Sequence, residues 1–335
     1  MRPIRKAALL AVLAACALPA ASATAQSDIL LRLRSGSPLG DRFRVDSASG
    51  FVAKGVLGIG IIPFTGAGER LMWHPYKAAF RAGSIGSAGT QWDDSNVGFY
   101  TWAGGYNTIA LGLSSFAMGY QSTALGSYSN ALGYTANADG TGAVAIGYRT
   151  TADADYSVAI GQRASTNGRA GAIVFSDGST TDSTQASANN QFTVRAAGGY
   201  RFFTNATMTT GVQLAAGGSS WAVISDRNRK QDFLAVDGES ILNRIRSLPV
   251  STWRYRDEED RSTLHIGPMA QDWHAAFGFT RDDQTINMSD FDGVNLAAIQ
   301  ALTKRTEALQ AENAELRARL ERVEALLART EAGKQ

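Results

Sequence analysis

A mainly β chain ending in an α+β domain and a coiled coil is predicted from three observations. Glycine recurs at seven-residue spacing between Gly105 and Gly168. From Ser225 onward glycine becomes rare and charged residues multiply. An apolar heptad register then runs from Ile299 to Leu327. With 335 residues the chain exceeds one typical domain. These transitions divide it into residues 1–25, 26–103, 104–168, 169–224, 225–298 and 299–330.

The first segment reads as an export signal. Arg2, Arg5 and Lys6 precede the apolar run Ala7 to Leu18, and Ala23-Thr24-Ala25 forms an A-x-A cleavage site before Gln26. A competing reading takes Leu13-Ala14-Ala15-Cys16 as a lipoprotein box with Cys16 lipidated. The apolar run is short for that, and the soluble-type site follows it. Either way the expected destination is the cell surface or the extracellular space. Cys16 is the only cysteine, so after ordinary cleavage no disulfide can hold the mature chain together. No later stretch approaches the ~20 apolar residues of a membrane helix. The formal charge is +2 with no strongly basic segment, so neither nucleic acid nor an anionic membrane surface is called for as a partner.

Residues 26–103 carry short strand-like runs, Leu30 to Arg34 and Phe51 to Gly58, and an aromatic-rich stretch with Trp73, Trp92, Tyr100 and Trp102. These aromatics, with Asp93 and Asp94, admit a glycan-binding or glycan-cleaving reading. Cap or core packing beside a small-residue repeat is the plainer account, since adjacent carboxylates on a strand point in different directions. The three histidines, His74, His265 and His274, match no metal-ligand spacing. No metal or cofactor is expected.

The repeat itself places Gly105, Gly112, Gly119, Gly126, Gly133, Gly140, Gly147, Gly161 and Gly168 in one register, with Ala154 in the vacancy. Alanine commonly sits two residues before, and Tyr120, Tyr134 and Tyr148 follow glycines at intervals of fourteen. The unit is therefore fourteen residues, made of two unequal sevens. A glycine in every heptad would cost a helix about 1 kcal/mol each, so short strands separated by turns are predicted. Each unit then forms one coil of a solenoid stacked at the strand spacing of about 4.8 Å. Its core would be thin, and association of several chains would bury more. Ala143-Val144-Ala145-Ile146-Gly147 and Ser157-Val158-Ala159-Ile160-Gly161 resemble the S-V-A-I-G strands of trimeric autotransporter adhesin heads. That resemblance implies a trimeric left-handed parallel β-roll shaft.

After the repeat, Ile173 to Gly178 looks like a closing strand and turn. Gln191 to Arg195 and Tyr200 to Thr204 alternate around Gly198-Gly199 as a hairpin, within a β neck that ends at Ile224.

In the C-terminal module, Glu239 to Leu248 reads as an amphipathic helix stopped by Pro249, with Ile241, Leu242, Ile245 and Leu248 on one face. Val250 to Arg256 and Leu264 to Gly267 read as strands, and Met269 to Phe277 as a second helix. Ser225 and Lys230 stand five residues apart at its start. A serine hydroxyl can attack the carbonyl directly before it if a base takes its proton. A solvated lysine is neutral in only about one molecule in 2,500 at pH 7, whereas burial can lower a lysine pKa by up to 3–5 units. If assembly buries Lys230, cutting waits for assembly.

The string Ser225-Asp226…Lys230, then Leu248-Pro249-Val250…Trp253-Arg254-Tyr255, then Ile266-Gly267-Pro268-Met269-Ala270-Gln271-Asp272, resembles the self-cleaving intramolecular chaperone domain first recognised in phage endosialidase tailspikes. The resemblance implies Ser225 as nucleophile, Lys230 as its partner, and Ile224–Ser225 as the bond cut, once and in cis, with no external substrate. Arg229 departs from the family, where an aliphatic residue is usual, so the same fold without cleavage is an alternative.

The last segment places Ile299, Thr306, Asn313, Leu320 and Leu327 at a, and Leu302, Leu309, Leu316 and Val323 at d. Four heptads, about 45 Å at 1.5 Å per residue, suffice for a parallel coiled coil. Arg319-Leu320-Glu321-Arg322-Val323-Glu324 resembles the R-h-x-x-h-E pattern of trimers, so a homotrimer is expected, with itself as the chain's partner.

Overall fold

The computed structural model describes residues 29–35, 40–47, 50–279 and 281–332; the expected signal segment and Cys16 lie outside the described residues. The chain divides into two compact units, one through Tyr200 and one from Arg201.

The first unit opens with a three-stranded antiparallel sheet of β1 (Ile29–Ser35), β2 (Gly40–Asp46) and β3 (Gly50–Ala53). β4 (Gly68–His74) and β5 (Ala79–Ile85) form an antiparallel pair. They are joined through a 3-10 turn at Pro75–Lys77 that ends on Ala78 in the left-handed region. The solenoid follows, alternating long and short strands: β6 (Trp102–Tyr106), β7 (Ile109–Ala110), β8 (Phe116–Tyr120), β9 (Thr123–Ala124), β10 (Asn130–Tyr134), β11 (Asn137–Ala138), β12 (Val144–Tyr148), β13 (Thr151–Ala152), β14 (Val158–Gln162), β15 (Ala164–Ser165), β16 (Ile173–Ser176), β17 (Thr184–Gln185) and β18 (Phe192–Arg195). The long strands stack in the order β18-β16-β14-β12-β10-β8-β6-β5-β4 and the short ones as β17-β15-β13-β11-β9-β7.

The fourteen-residue period is the register of this stack. Asn130 pairs with Val144 and Ala131 with Ala145, each partner fourteen residues on. The period stretches where the repeat fades: Val158 pairs with Ile173, and Ile173 with Phe192. Alanines Ala103, Ala117, Ala131, Ala145 and Ala159 from the long strands face Ala110, Ala124, Ala138 and Ala152 from the short ones, all fully buried. From β6 to β15 the inward positions are thus filled mainly by single methyl groups. Each contributes about 0.8 kcal/mol per buried carbon, so the ladder of backbone hydrogen bonds is indispensable. Gly133 shows why glycine is required: its φ is +131°, and a Cβ there would lie 2.0 Å from the carbonyl oxygen of Gly147. On the outer face Tyr106, Tyr120, Tyr134 and Tyr148 stack with ring centroids 5.1, 5.0 and 4.9 Å apart.

At the N-terminal end of the stack Arg81 occupies the inward position of the alanine ladder, paired with Ala103. Its guanidinium is fully buried and donates to the carbonyls of Phe80, Thr101 and Ala110 and to Thr101 Oγ1. Burial pulls its pKa down to about 10. Met72, Ile85 and Trp92 form a small core beside it.

Two expectations need correction here. The strand at Ile173–Ser176 does not close the stack, because β18 adds to it in parallel. The hairpin around Gly198-Gly199 does not form either: β18 remains with β16, while β19 (Gly199–Phe203) joins another sheet. An open strand edge with matching apolar residues outcompetes a local turn.

The second unit holds that sheet, ordered β19-β20-β21 with β20 (Gly211–Ala215) and β21 (Ala222–Val223). Helix α1 (Gly238–Ser247), strands β22 (Ser251–Trp253) and β23 (His265–Gly267), helix α2 (Ala270–Phe277) and helix α3 (Met288–Ala332) follow. Ile241, Trp273, Phe277, Val294 and Ala298 form its core, with Leu242, Ile245 and Leu248 packed on it. α3 starts at Met288, eleven residues before the first assigned heptad position, Ile299, because its first turns pack on α1 and α2 through Val294, Ala298 and Phe291. From Leu302 onward every described side chain of α3 is exposed.

Candidate functional site

Two anchors hold the Ile224–Ser225 peptide. Upstream, Ile224 N donates to Gly211 O at 3.1 Å, so the residue before the bond is tied to β20. Downstream, residues Arg227–Arg229 make a 3-10 turn. Asp226 caps it: its Oδ1 accepts from Asn228 N at 2.9 Å and from Asn228 Nδ2 at 3.2 Å. Arg229 N donates to Asp226 O, and Lys230 N to Arg227 O at 3.2 Å. The turn folds Lys230 back, and its Nζ donates to Ser225 Oγ at 2.6 Å. Ser225 and Lys230 are both exposed in the single chain.

This contact is compatible with attack of the serine on the preceding carbonyl. With Lys230 neutral, Ser225 Oγ–H donates to the Nζ lone pair and the oxygen can attack the Ile224 carbonyl carbon. In such a step the Oγ–C bond would form, the proton would pass to Nζ, and the C–N bond would break as Nζ returned the proton to the Ser225 nitrogen. Water would then attack the ester, releasing Oγ with a proton and leaving a carboxyl on Ile224. Arg229 stands to one side, with Nε 3.6 Å from Asp226 Oδ2 and both side chains about half exposed.

The heptad residues Ile299, Leu302, Leu309, Leu316, Leu320, Val323 and Leu327 are each at least half exposed. The polar members turn back on their own helix: Thr306 Oγ1 donates to Leu302 O at 2.8 Å and Asn313 Nδ2 to Leu309 O at 2.9 Å. Arg319 Nη2 donates to Glu315 Oε1 at 2.6 Å, one helical turn earlier. A second apolar face lies on the solenoid, where Trp102, Met118, Ile146 and Phe175 are exposed along the long sheet. Sequence periodicity located the first face but not the second, which depends on which side of each strand the alanines take.

The N-terminal aromatics do not assemble as one platform. Trp92 is fully buried and donates Nε1 to Thr108 O at 2.9 Å, whereas Trp73, Tyr100 and Trp102 are exposed. Asp93 Oδ1 accepts from Gly66 N at 2.6 Å. Asp94 sits 2.9 Å from the buried His74 Nε2, and that hydrogen bond, seconded by Lys77, holds its carboxyl below the usual range. His265 stacks on Trp253 with centroids 4.6 Å apart. Among the described residues no group of three or more His, Cys, Asp or Glu is placed to hold a metal ion, and no helix is long and apolar enough to cross a membrane.

Motif reading passes over Asp226, although it shapes the site. Its signal in the sequence is an Asp two positions before an Asn at a turn.

Comparison with known families gives two matches. Residues 225–280 match the family described as chaperone of endosialidase. Residues 103–164 match the YadA head domain repeat in four overlapping segments, 103–129, 112–136, 128–150 and 138–164. Neither the curated proteins nor the solved structures returned a match. The chain therefore carries both a chaperone-of-endosialidase module and YadA-type head repeats, families that imply trimeric self-association in a fibre or adhesin-like protein.

Proposed function

We propose that this chain is an exported homotrimeric fibre whose C-terminal domain serves as an intramolecular chaperone for trimerisation and then cleaves itself off at Ile224–Ser225. The observation that carries this is the 2.6 Å contact between Lys230 and Ser225, at the first residue of the segment matching the endosialidase chaperone. The exposed heptad stripe of α3 supports association of three copies, and the apolar outer face of the solenoid supports their lateral packing. The coiled coil raises the local concentration of three shafts and sets their register, easing a β assembly of non-local contacts. Lys230 is exposed in one chain, and exclusion of water on assembly favours the neutral amine that the reaction needs. Cleavage then leaves residues 26–224 as the fibre and releases 225–335. The adhesin-like head repeats support a surface or extracellular location, reached through the signal segment, with lipidation at Cys16 as the alternative anchor.

The test is expression of residues 26–335 followed by a denaturing gel, N-terminal sequencing and light scattering. A fragment beginning at Ser225 and a trimeric mass are expected. An intact chain in a well-folded trimer would sink self-cleavage while sparing the fibre, and a monomer would count against the whole assembly.

A further inference from the structure

From the geometry around the scissile bond we infer that Asp226 is a positioning residue of the cleavage site, acting through the turn that delivers Lys230 to Ser225. The inference rests on the reading that Ile224–Ser225 is cut. Five residues of extended chain span up to about 17 Å, so a hydroxyl and an amine at that separation meet only if the backbone doubles back. Here it does so through the single 3-10 turn at Arg227–Arg229. Short turns of this kind have poor hydrogen-bond geometry and little stability of their own. Every residue from Ser225 to Val236 is exposed, so no core packing imposes the turn. What holds it is the Asp226 carboxylate, which accepts from both the backbone and side-chain nitrogens of Asn228 at 2.9 and 3.2 Å. The Arg227 guanidinium over the Phe233 ring, 5.2 Å from its centroid, adds a weaker tie beyond it.

A capping role and a charge role separate cleanly at this position. Asn and Ser are good N-caps without charge, whereas Glu keeps the charge and is not a preferred N-cap. Loss of an N-cap reduces the capped population by a factor of about 2 to 30. The experiment is a pulse-chase of the full chain, timing appearance of the fragment that begins at Ser225, with the trimer checked by light scattering. Asp226→Ala and Asp226→Glu are expected to slow cleavage about 5–10-fold, while Asp226→Asn and Asp226→Ser stay within about twofold of wild type. The pH profile of Asp226→Asn should match that of wild type.

Cleavage of Asp226→Ala at the wild-type rate overturns the inference alone. So does a slow Asp226→Asn beside a fast Asp226→Glu, since that ordering marks the charge as the active feature. If Asp226→Ala does not trimerise, the Asn, Ser and Glu variants still decide between cap and charge. A wild-type chain that stays uncut overturns the cleavage reading, and this inference with it.

Discussion

Lys230 Nζ and Ser225 Oγ lie 2.6 Å apart within one chain, without any partner copy. The pair is therefore assembled locally, within a stretch of chain that is exposed to solvent. Lys230→Arg tests whether the amine is a base or merely a donor. Arginine keeps hydrogen-bond donors but cannot be deprotonated in a protein. Cleavage should fall by about 10²-fold or more in Lys230→Arg, Lys230→Ala and Ser225→Ala, with trimer mass unchanged. Time courses on denaturing gels read the first and light scattering the second.

Assembly should gate the cut. Leu309→Glu or Leu316→Glu places a charge on the exposed stripe of α3, where both leucines are more than half exposed in the single chain and would be buried in a coiled coil. Either variant should be monomeric at micromolar concentration and remain uncut although Ser225 and Lys230 are intact. A monomer that cuts at the wild-type rate would remove solvent exclusion from the mechanism.

Gly133 should not tolerate a methyl group. Its φ of +131° and the 2.0 Å that would separate an added Cβ from the Gly147 carbonyl oxygen combine backbone strain with a backbone clash. Gly133→Ala should destabilise the solenoid by at least ~2 kcal/mol, read as a lower unfolding midpoint of the head. Tyr128→Ala, on an exposed side chain of the same coil, should change it by less than ~0.5 kcal/mol.

Asp177 ties down the far end of the solenoid. Its carboxyl is held well below the usual range, first by the Ala197 amide, then by Ser179 and Arg195. Arg195 Nε lies 3.0 Å away. Because the folded-state pKa is depressed, this stabilisation is fully present above the unfolded value of about 3.9 and is lost as pH falls further. Thermal midpoints of wild type should drop below about pH 4, and Asp177→Asn should start lower at neutral pH and show a shallower acid limb.

Much of the architecture was legible because its causes are local and repeated. Ala131 and Ala145, fourteen residues apart, announce one rung stacked on the next, and Pro249 stops α1 at Leu248. Other features depend on neighbours that periodicity does not reveal. The alternation at Phe192 to Arg195 suits either a hairpin or an added rung, and the free edge of β16 selected the rung. Arg81 looks like an ordinary polar residue in the sequence until the first coil leaves carbonyls for it to satisfy. Gly293 gave no reason to extend α3 back to Met288; the packing of Val294 and Ala298 against α1 and α2 supplied it.

Periodicity was enough to predict the stacked coils and the apolar stripe, and the chaperone module was legible through the resemblance of its motif string to a known family, since each rests on residue order that survives without knowing any distant partner. The five-residue separation of Ser225 and Lys230 was visible in the same way. Whether they touch depended on the Asp226-capped turn, and which strands close the stack depended on an open edge. Those outcomes rest on hydrogen bonds whose geometry exists only once the backbone has folded back on itself.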